Sequence, residues 1–428
     1  MTAPLHPSLL GLVADDVTGG TDAASALAEC GLRVVQVVGV PEESLAVPEC
    51  DAVVVSLKSR TAKVSSAVAE SLAAARWLAH QGAEVLVLKV CSTFDSTSAG
   101  NIGPVAQALR DDLGAGLVAV CPANPENGRT VFQGHLFLGR VLLEKSPMAE
   151  HPLTPMTRSD LVVLLGEQTA GAVGLVPLEV VREGAAAIAA ALSRLEQAGS
   201  AFAVVDAAGQ QDLEALARGW NEARLWVGAS GLVRALGGAR QAGQEHVPAP
   251  RETFASEAPG ATLLLAGSSS AATREQVARF LEHFPGLRLD PLRVASDAGH
   301  VAEVTSAAQD VLRDGQPVLV YATAAPEEVR RVHETLGPSA STLVEQALAE
   351  VGRACVAAGV RRLVVAGGET SGAVLRSLGV RRLRIGTAIA PGVPWTLSEN
   401  SRPPVALALK SGNFGGPDFF LAALDGAG

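Results

Sequence analysis

Short, unbroken apolar runs recur along the chain at the spacing of strand–helix–strand units. Leu9–Ala14, Val34–Val40, Ala52–Leu57, Val85–Val90 and Leu117–Cys121 lack the polar alternation of a half-exposed strand, so both of their faces must be covered. Between them, Thr21–Cys30, Lys63–Gln81 and Val105–Leu113 carry a helical period, and Gly31 stands where a glycine closes the first of these helices. This rhythm predicts a mainly parallel sheet. Residues 122–160 interrupt it. Pro122, Pro125, Pro147, Pro152 and Pro155 punctuate short apolar pieces, which predicts an irregular insertion or hairpin able to cover a site. Regular alternation returns over Leu178–Val227, with an Ala-rich helix at Gly184–Leu192 and a strand at Phe202–Asp206. Apolar period then fades over Gly237–Gly260 among Gly, Gln, Pro and Glu, which predicts a linker, placed at 246–260. A second series follows: Thr262–Ala266, a helix from Ala271, Val318–Tyr321, Leu363–Ala366 and Val405–Leu409. The expected architecture is α/β in two domains, 1–245 and 261–428, each with a mainly parallel sheet flanked by helices.

Composition narrows the function. The 428 residues are 48% hydrophobic but only 4% aromatic, the palette of Ala-rich helices and Val-rich buried strands. A net charge of −10 with no basic stripe argues against a nucleic-acid partner. It also means that local basic groups must draw in any anionic substrate. No apolar run reaches membrane-spanning length, and no basic stretch followed by an apolar core marks a signal peptide, so a cytoplasmic protein with no membrane partner is expected. The five cysteines form no Cys-x-x-Cys and are odd in number, which argues for reduced thiols and against structural zinc.

Candidate chemistry clusters at predicted strand ends. Asp15 and Asp16 are adjacent carboxylates on the first strand-to-helix turn, costly unless something neutralises or uses them. One can accept a hydrogen bond and then the proton of a substrate hydroxyl; Asp16 is the candidate base. Helix capping by Thr21 and Asp22, with Asp15 and Asp16 solvated, is the competing reading. Arg60 and Lys89 close two further strands. On the same edge as Asp16 they can meet a carboxylate, Arg60 by a bidentate fork and Lys89 as a point charge. Ser92, Thr93 and Asp95 offer partners for sugar hydroxyls. A haloacid dehalogenase needs D-x-D and is excluded by the adjacent acids.

The second half holds three anion-binding signatures. Gly267-Ser268-Ser269-Ser270 precedes a helix, supplying free N–H groups, hydroxyls and a helix dipole end. Gly367-Gly368-Glu369-Thr370-Ser371 and Lys410-Ser411-Gly412-Asn413-Phe414-Gly415 each follow an apolar strand, where glycine lets backbone amides approach a phosphate. None matches the P-loop or the dinucleotide fingerprint, which disfavours a dehydrogenase.

In order along the chain, Ala14–Gly19, Ser59-Arg60, Cys91–Thr97 with Gly100–Pro104, Gly367–Ser371, Ala390–Trp395 and Lys410–Gly415 resemble the four-carbon acid sugar kinases, from about residue 9 to about residue 424. Cys91–Thr97 and Asn127-Gly128-Arg129-Thr130 resemble most the branch that phosphorylates 3-oxo-tetronates. The resemblance implies an acid-sugar-binding domain followed by a nucleotide-binding domain, with the active site in the cleft between them. It implies transfer from ATP, with Mg²⁺, to the C4 hydroxyl of the sugar acid. Asp16, Arg60 and the Lys89 segment would contact the sugar acid; Ser268, Ser270, Gly367, Gly368, Glu369, Thr370 and Gly412 would contact ATP. No dedicated protein metal site is implied, and assembly into a homo-oligomer stays open. Gly20 stands where the family usually has Ala, and Ser269 where it often has Cys. The alternatives are a kinase of threonate or erythronate, and a non-catalytic sensor of sugar acid and nucleotide.

Overall fold

Apolar strands that cannot leave either face in water fold here into parallel sheets with helices on both sides. The computed structural model describes residues 9–150, 154–242, 254, 257–399 and 403–425. They divide into two compact units, Met1–Ala249 and Pro250–Gly428.

The first unit contains, in chain order, β1 (Leu9–Ala14), α1 (Val17–Glu29), β2 (Val34–Val38), β3 (Ala52–Ser56), α2 (Val64–His80), β4 (Ala83–Lys89), α3 (Ile102–Leu113) and β5 (Val118–Cys121). A hairpin region follows, with β6 (Arg129–Phe132), β7 (His135–Leu138) and β8 (Val141–Leu142). The rest is α4 (Leu161–Gln168), β9 (Ala172–Val176), α5 (Leu178–Arg182), α6 (Ala185–Gln197), β10 (Ser200–Val205), α7 (Gln210–Gly219), β11 (Leu225–Gly228) and α8 (Ser230–Gln241). Within this unit the sheet runs β2-β3-β1-β4-β11-β5-β10-β9, and every pairing is parallel. The chain leaves β1 toward β2 and β3 on one side, then crosses to β4 on the other. The β1/β4 boundary is therefore the switch point outside which α/β sheets bind ligands. Register completes the placement. Ala14, the last residue of β1, lies opposite Ser56 on one side and Lys89 on the other, and Lys89 lies opposite Gly228.

The proline-punctuated insertion is a three-stranded antiparallel sheet, β6-β7-β8. Its first turn places both Gln133 and Gly134 at positive φ, the two-residue hairpin geometry. Asp206, fully buried, clamps this turn to the unit by accepting from the backbone N–H of Gln133 (2.6 Å), Gly134 (2.9 Å) and Leu178 (3.1 Å).

The second unit contains β12 (Thr262–Ala266), α9 (Ala271–Leu281), β13 (Gly286–Arg288), α10 (Pro291–Ser296), α11 (His300–Arg313), β14 (Val318–Tyr321), α12 (Pro326–Leu336), α13 (Ala340–Ala357), β15 (Arg362–Ala366), α14 (Gly368–Ser377), β16 (Arg382–Ala390), β17 (Val393–Ser398), β18 (Ala406–Lys410) and α15 (Phe419–Asp425). Its sheet runs β13-β14-β12-β15-β18-β17-β16, parallel through β18 and antiparallel at β17 and β16. One face is packed by Phe280, Phe420, Trp395 and Phe419.

Two expectations are corrected. The first helix begins at Val17, four residues before Thr21, because Asp16 caps it by accepting from Gly19 N–H (3.0 Å). The predicted linker start at Gly237 is helical, since α8 continues to Gln241. Gly237 is tolerated there because a Cβ would lie 2.9 Å from Leu27 Cδ2, so the bare backbone packs closely on α1. Most of the predicted linker at 246–260 lies outside the described residues.

Gly20 shows how tightly α1 sits on β3. A Cβ there would fall 1.9 Å from Ser56 Oγ, which accepts from Gln36 Nε2 at 2.8 Å. Gln36 in turn accepts from Thr21 Oγ1 and donates to Val17 O. Gly20→Ala should therefore destabilise the protein by about 1–3 kcal/mol, with Ser56→Ala in the same chain recovering most of the loss. A denaturation double-mutant cycle with no coupling between the two positions would contradict this packing.

Candidate active site

The first unit gathers its charged groups at the carboxyl edge of β1, β3 and β4. Asp15 and Asp16 follow β1 directly; Asp15 is buried and Asp16 half-buried. Arg60, from the loop after β3, grips Asp15 by a fork, Nε to Oδ2 at 3.0 Å and Nη2 to Oδ1 at 2.9 Å, and Nη2 also donates to Asp16 Oδ1 at 2.7 Å. Asp16 further accepts from Thr18 Oγ1 (2.7 Å) and Gly19 N–H. Burial pushes the Asp15 carboxyl above the ordinary carboxylate range, and Arg60 only partly offsets it. Burial also works against an ionised Asp16, but Arg60, Lys89, the Thr18 hydroxyl and the Gly19 amide outweigh it and hold that carboxyl below its usual value. For Arg60 burial disfavours the charge, and the two acids overcome it, raising the guanidinium far above its normal range.

The fork expected for a substrate carboxylate is thus occupied by Asp15. Arg60 Nη1 faces Asp95 Oδ2 at 4.0 Å. Lys89 is buried beside the acids and donates to Val90 O at 3.0 Å. A Cβ on Gly19 would lie 2.3 Å from Asp16 Oδ1 and 3.2 Å from Lys89 Nζ, so glycine is what lets α1 start this close to both charges. Thr93 and Asp95 also reach the cluster, already joined to each other: Thr93 Oγ1 donates to Asp95 Oδ1 at 2.5 Å and lies 2.8 Å from Cys91 Sγ. Ser92 is half-buried in the same loop. Between them Phe94 is fully buried at φ +51, a conformation a bulky residue adopts only when its surroundings impose it. Burial raises the Cys91 thiol to about 12.

Two residues of this unit make contacts that sequence reading did not assign. Asn101 Nδ2 donates to the carbonyls of Ser59, Arg60 and Ala62 (2.6, 3.2 and 2.9 Å) and so fixes the Arg60 loop. Asp22, buried, accepts from Ser230 at the start of α8. The Asn101 motif was visible; its three carbonyl partners depend on long-range folding.

In the second unit register sets Tyr321, Ala266, Ala366 and Lys410 side by side at the ends of β14, β12, β15 and β18. The three predicted loops meet there. Ser270 caps α9 and donates to Gly412 O at 2.6 Å, and Ser268 Oγ accepts from Ser270 N–H at 3.3 Å. A Cβ on Gly412 would be 2.4 Å from Ser268 Oγ, and one on Gly267 2.2 Å from Thr370 Oγ1. Gly367 sits at φ +126, open only to glycine, just before α14, whose first turn contains Gly368, Glu369 and Thr370. Beneath them lies Lys410, fully buried, donating to Thr273 Oγ1, Ser411 O and Gly412 O at 3.1, 3.0 and 2.9 Å. Burial lowers its ammonium to about 7. Lys410 opens the third predicted signature but was given no role there, and Thr273 was left out of this cluster altogether.

Residues 10–236 match a family profile described as a sugar-binding N-terminal domain, and residues 263–420 one described as a nucleotide-binding C-terminal domain. The 3-oxo-tetronate kinase of Burkholderia multivorans is 48% identical over all of both chains, and that of Cupriavidus necator is 49% identical over 98% of this chain and 97% of its own. The chain belongs to the four-carbon acid sugar kinases. A solved Salmonella typhimurium LT2 structure matches this kinase with a TM-score of 0.86 at 39% identity, covering 97% of this chain and 98% of that one. Among the described residues no helix is long and apolar enough to cross a membrane.

The Arg60 contacts predict a pH signature. In the wild type the lowered Asp16 value contributes stability above the unfolded value of about 3.9, lost as pH falls through the folded value. Removing the guanidinium strands two buried carboxylates, a loss of about 3–5 kcal/mol for a broken buried pair. Protonation relieves that stranded charge. Arg60→Ala should therefore melt well below wild type at neutral pH, with the gap narrowing as the pH falls and the stranded carboxylates take up protons. A gap independent of pH would show that Arg60 holds the loop by packing instead.

Proposed function

We propose that this kinase transfers the γ-phosphoryl group of ATP to the C4 hydroxyl of 3-oxo-tetronate in the cytoplasm. The observation that carries the reading is the full-length identity of 48–49% to kinases named for that substrate. The first unit would hold the sugar acid through Asp16, Arg60 Nη1, Lys89, Ser92, Thr93 and Asp95. Ser268, Ser270, Gly367, Gly368, Glu369, Thr370 and Gly412 would hold ATP.

Phosphoryl transfer needs positioning and charge neutralisation more than covalent chemistry from the protein. Asp16, held ionised, accepts the C4 hydroxyl proton as the oxygen attacks the γ-phosphorus and ADP departs. Lys89 and Arg60 keep that carboxylate from being protonated in the resting enzyme. Among the described residues no three His, Cys, Asp or Glu side chains gather as a metal cage. An Mg²⁺ ion arriving with ATP would be held by phosphate oxygens and water, with Glu369 as the acidic side chain of the nucleotide loops, and would neutralise charge on the phosphates.

A coupled ADP-release screen over the D and L forms of 3-oxo-tetronate, threonate and erythronate tests the substrate. The highest kcat/KM is expected on a 3-oxo-tetronate; a clear preference for a reduced acid would reassign it. Asp16→Asn tests the base. Asn retains the acceptor that caps α1 but cannot take a proton, so kcat should fall about 10²–10⁴-fold with KM for ATP nearly unchanged, while the melting temperature drops modestly as the charge facing Arg60 and Lys89 is lost. A fall smaller than about tenfold would remove Asp16 as the base.

A further inference from the structure

Arg60 was the natural anchor for a substrate carboxylate, yet its fork closes on Asp15 and its Nη2 on Asp16. The pocket it serves is rich in acids. Asp15, Asp16, Asp22 and Asp95 all lie within electrostatic reach of Lys89 or Arg60. An anionic substrate entering there needs a further positive group with no acid of its own.

Arg129 meets that description. It opens β6, where its backbone bridges Asn124 just past the end of β5 (N–H to Asn124 O at 3.1 Å, O from Asn124 N–H at 2.9 Å). That places it on the carboxyl edge of the same sheet. The guanidinium is within electrostatic reach of Cys91 and Asp95, the loop that Arg60 Nη1 also faces. Its Nη1 donates to Asn127 O, which steadies the arm, while its Nε is buried with no hydrogen-bond partner. Among the described residues it forms no ion pair within 4 Å, unlike Arg60. A buried guanidinium N–H without an acceptor is costly, and a carboxylate is the group that matches its fork.

We infer that Arg129 binds the carboxylate of the sugar acid and sets the preference for acids over neutral sugars, while Arg60 serves as counter-ion to Asp15 and Asp16. This rests on the sugar-acid kinase reading above. It also assigns a role to the Asn127–Thr130 segment: the hairpin carries the substrate's charge reader, and the Asp206 clamp on the next turn holds that hairpin in place.

The test compares full-length wild type, Arg129→Met and Arg129→Lys on the favoured tetronate and on its neutral carboxamide. Arg129→Met should lower kcat/KM for the acid by about 10- to 100-fold, mostly through KM, while turnover of the amide and KM for ATP change by less than about twofold. Lys, a point charge without the fork, should fall between. The acid-to-amide ratio does not depend on how much of a variant is folded, so partial unfolding cannot imitate the result. An unchanged ratio in Arg129→Met would overturn the assignment while leaving the kinase reading intact. If wild type turned over no four-carbon acid, that reading would fail by itself. Calorimetric binding of the tetronate to wild type and Arg129→Met would then decide the anchor, with equal affinities overturning it.

Discussion

Two adjacent carboxylates, one buried and one half-buried, sit at the end of a parallel strand, and one guanidinium makes that tolerable. Without Arg60, Asp15 and Asp16 would carry the full cost of leaving water beside a like charge. Much of the local structure serves this arrangement. Asn101 ties down the Arg60 loop through three carbonyls, and Gly19 leaves room for Lys89 and Asp16 to approach the start of α1. The outcome is two acids with different tendencies, Asp15 pushed toward its neutral form and Asp16 held ionised. A phosphotransferase can use that difference, because the acid facing the hydroxyl must be free to accept a proton.

The second unit inverts the scheme. There a lysine is buried among carbonyls and hydroxyls, with no acid beside it among the described residues, and its ammonium is driven down to about 7. Gly412 O receives bonds from Ser270, Thr273 and Lys410, so one carbonyl joins the loops after β12 and β18. Preorganised loops of this kind lower the ordering cost of binding a phosphate.

The sequence made the sheet edges legible because parallel strands put every carboxyl end on one side, so residues far apart in the chain could be grouped before any fold was known. Asp16, Arg60, Lys89, Thr93 and Asp95 do meet on one edge, and Ser268, Ser270, Gly367, Thr370 and Gly412 on another. What stayed hidden were choices of partner. Nothing local says that Arg60 will turn to Asp15, or that Asn101 will find three carbonyls some forty residues upstream. The Thr18-Gly19-Gly20 run reads as a loop, yet it is helical, because the Asp16 cap and close contact with β3 outweigh the poor helix propensity of glycine. The antiparallel pair β16 and β17 likewise escaped a reading tuned to parallel alternation.

The central claim is that Arg60 and Lys89 keep one of the two acids charged while burial biases the other toward its protonated form. Carbon-13 NMR of the Asp15 and Asp16 carboxyl groups in the full-length protein, titrated with pH and assigned through single Asn substitutions, measures this directly. The account predicts one carboxyl titrating below the ordinary range of about 3.9, assigned to Asp16, and one above it, assigned to Asp15. Two carboxyls titrating together near that ordinary value would contradict it.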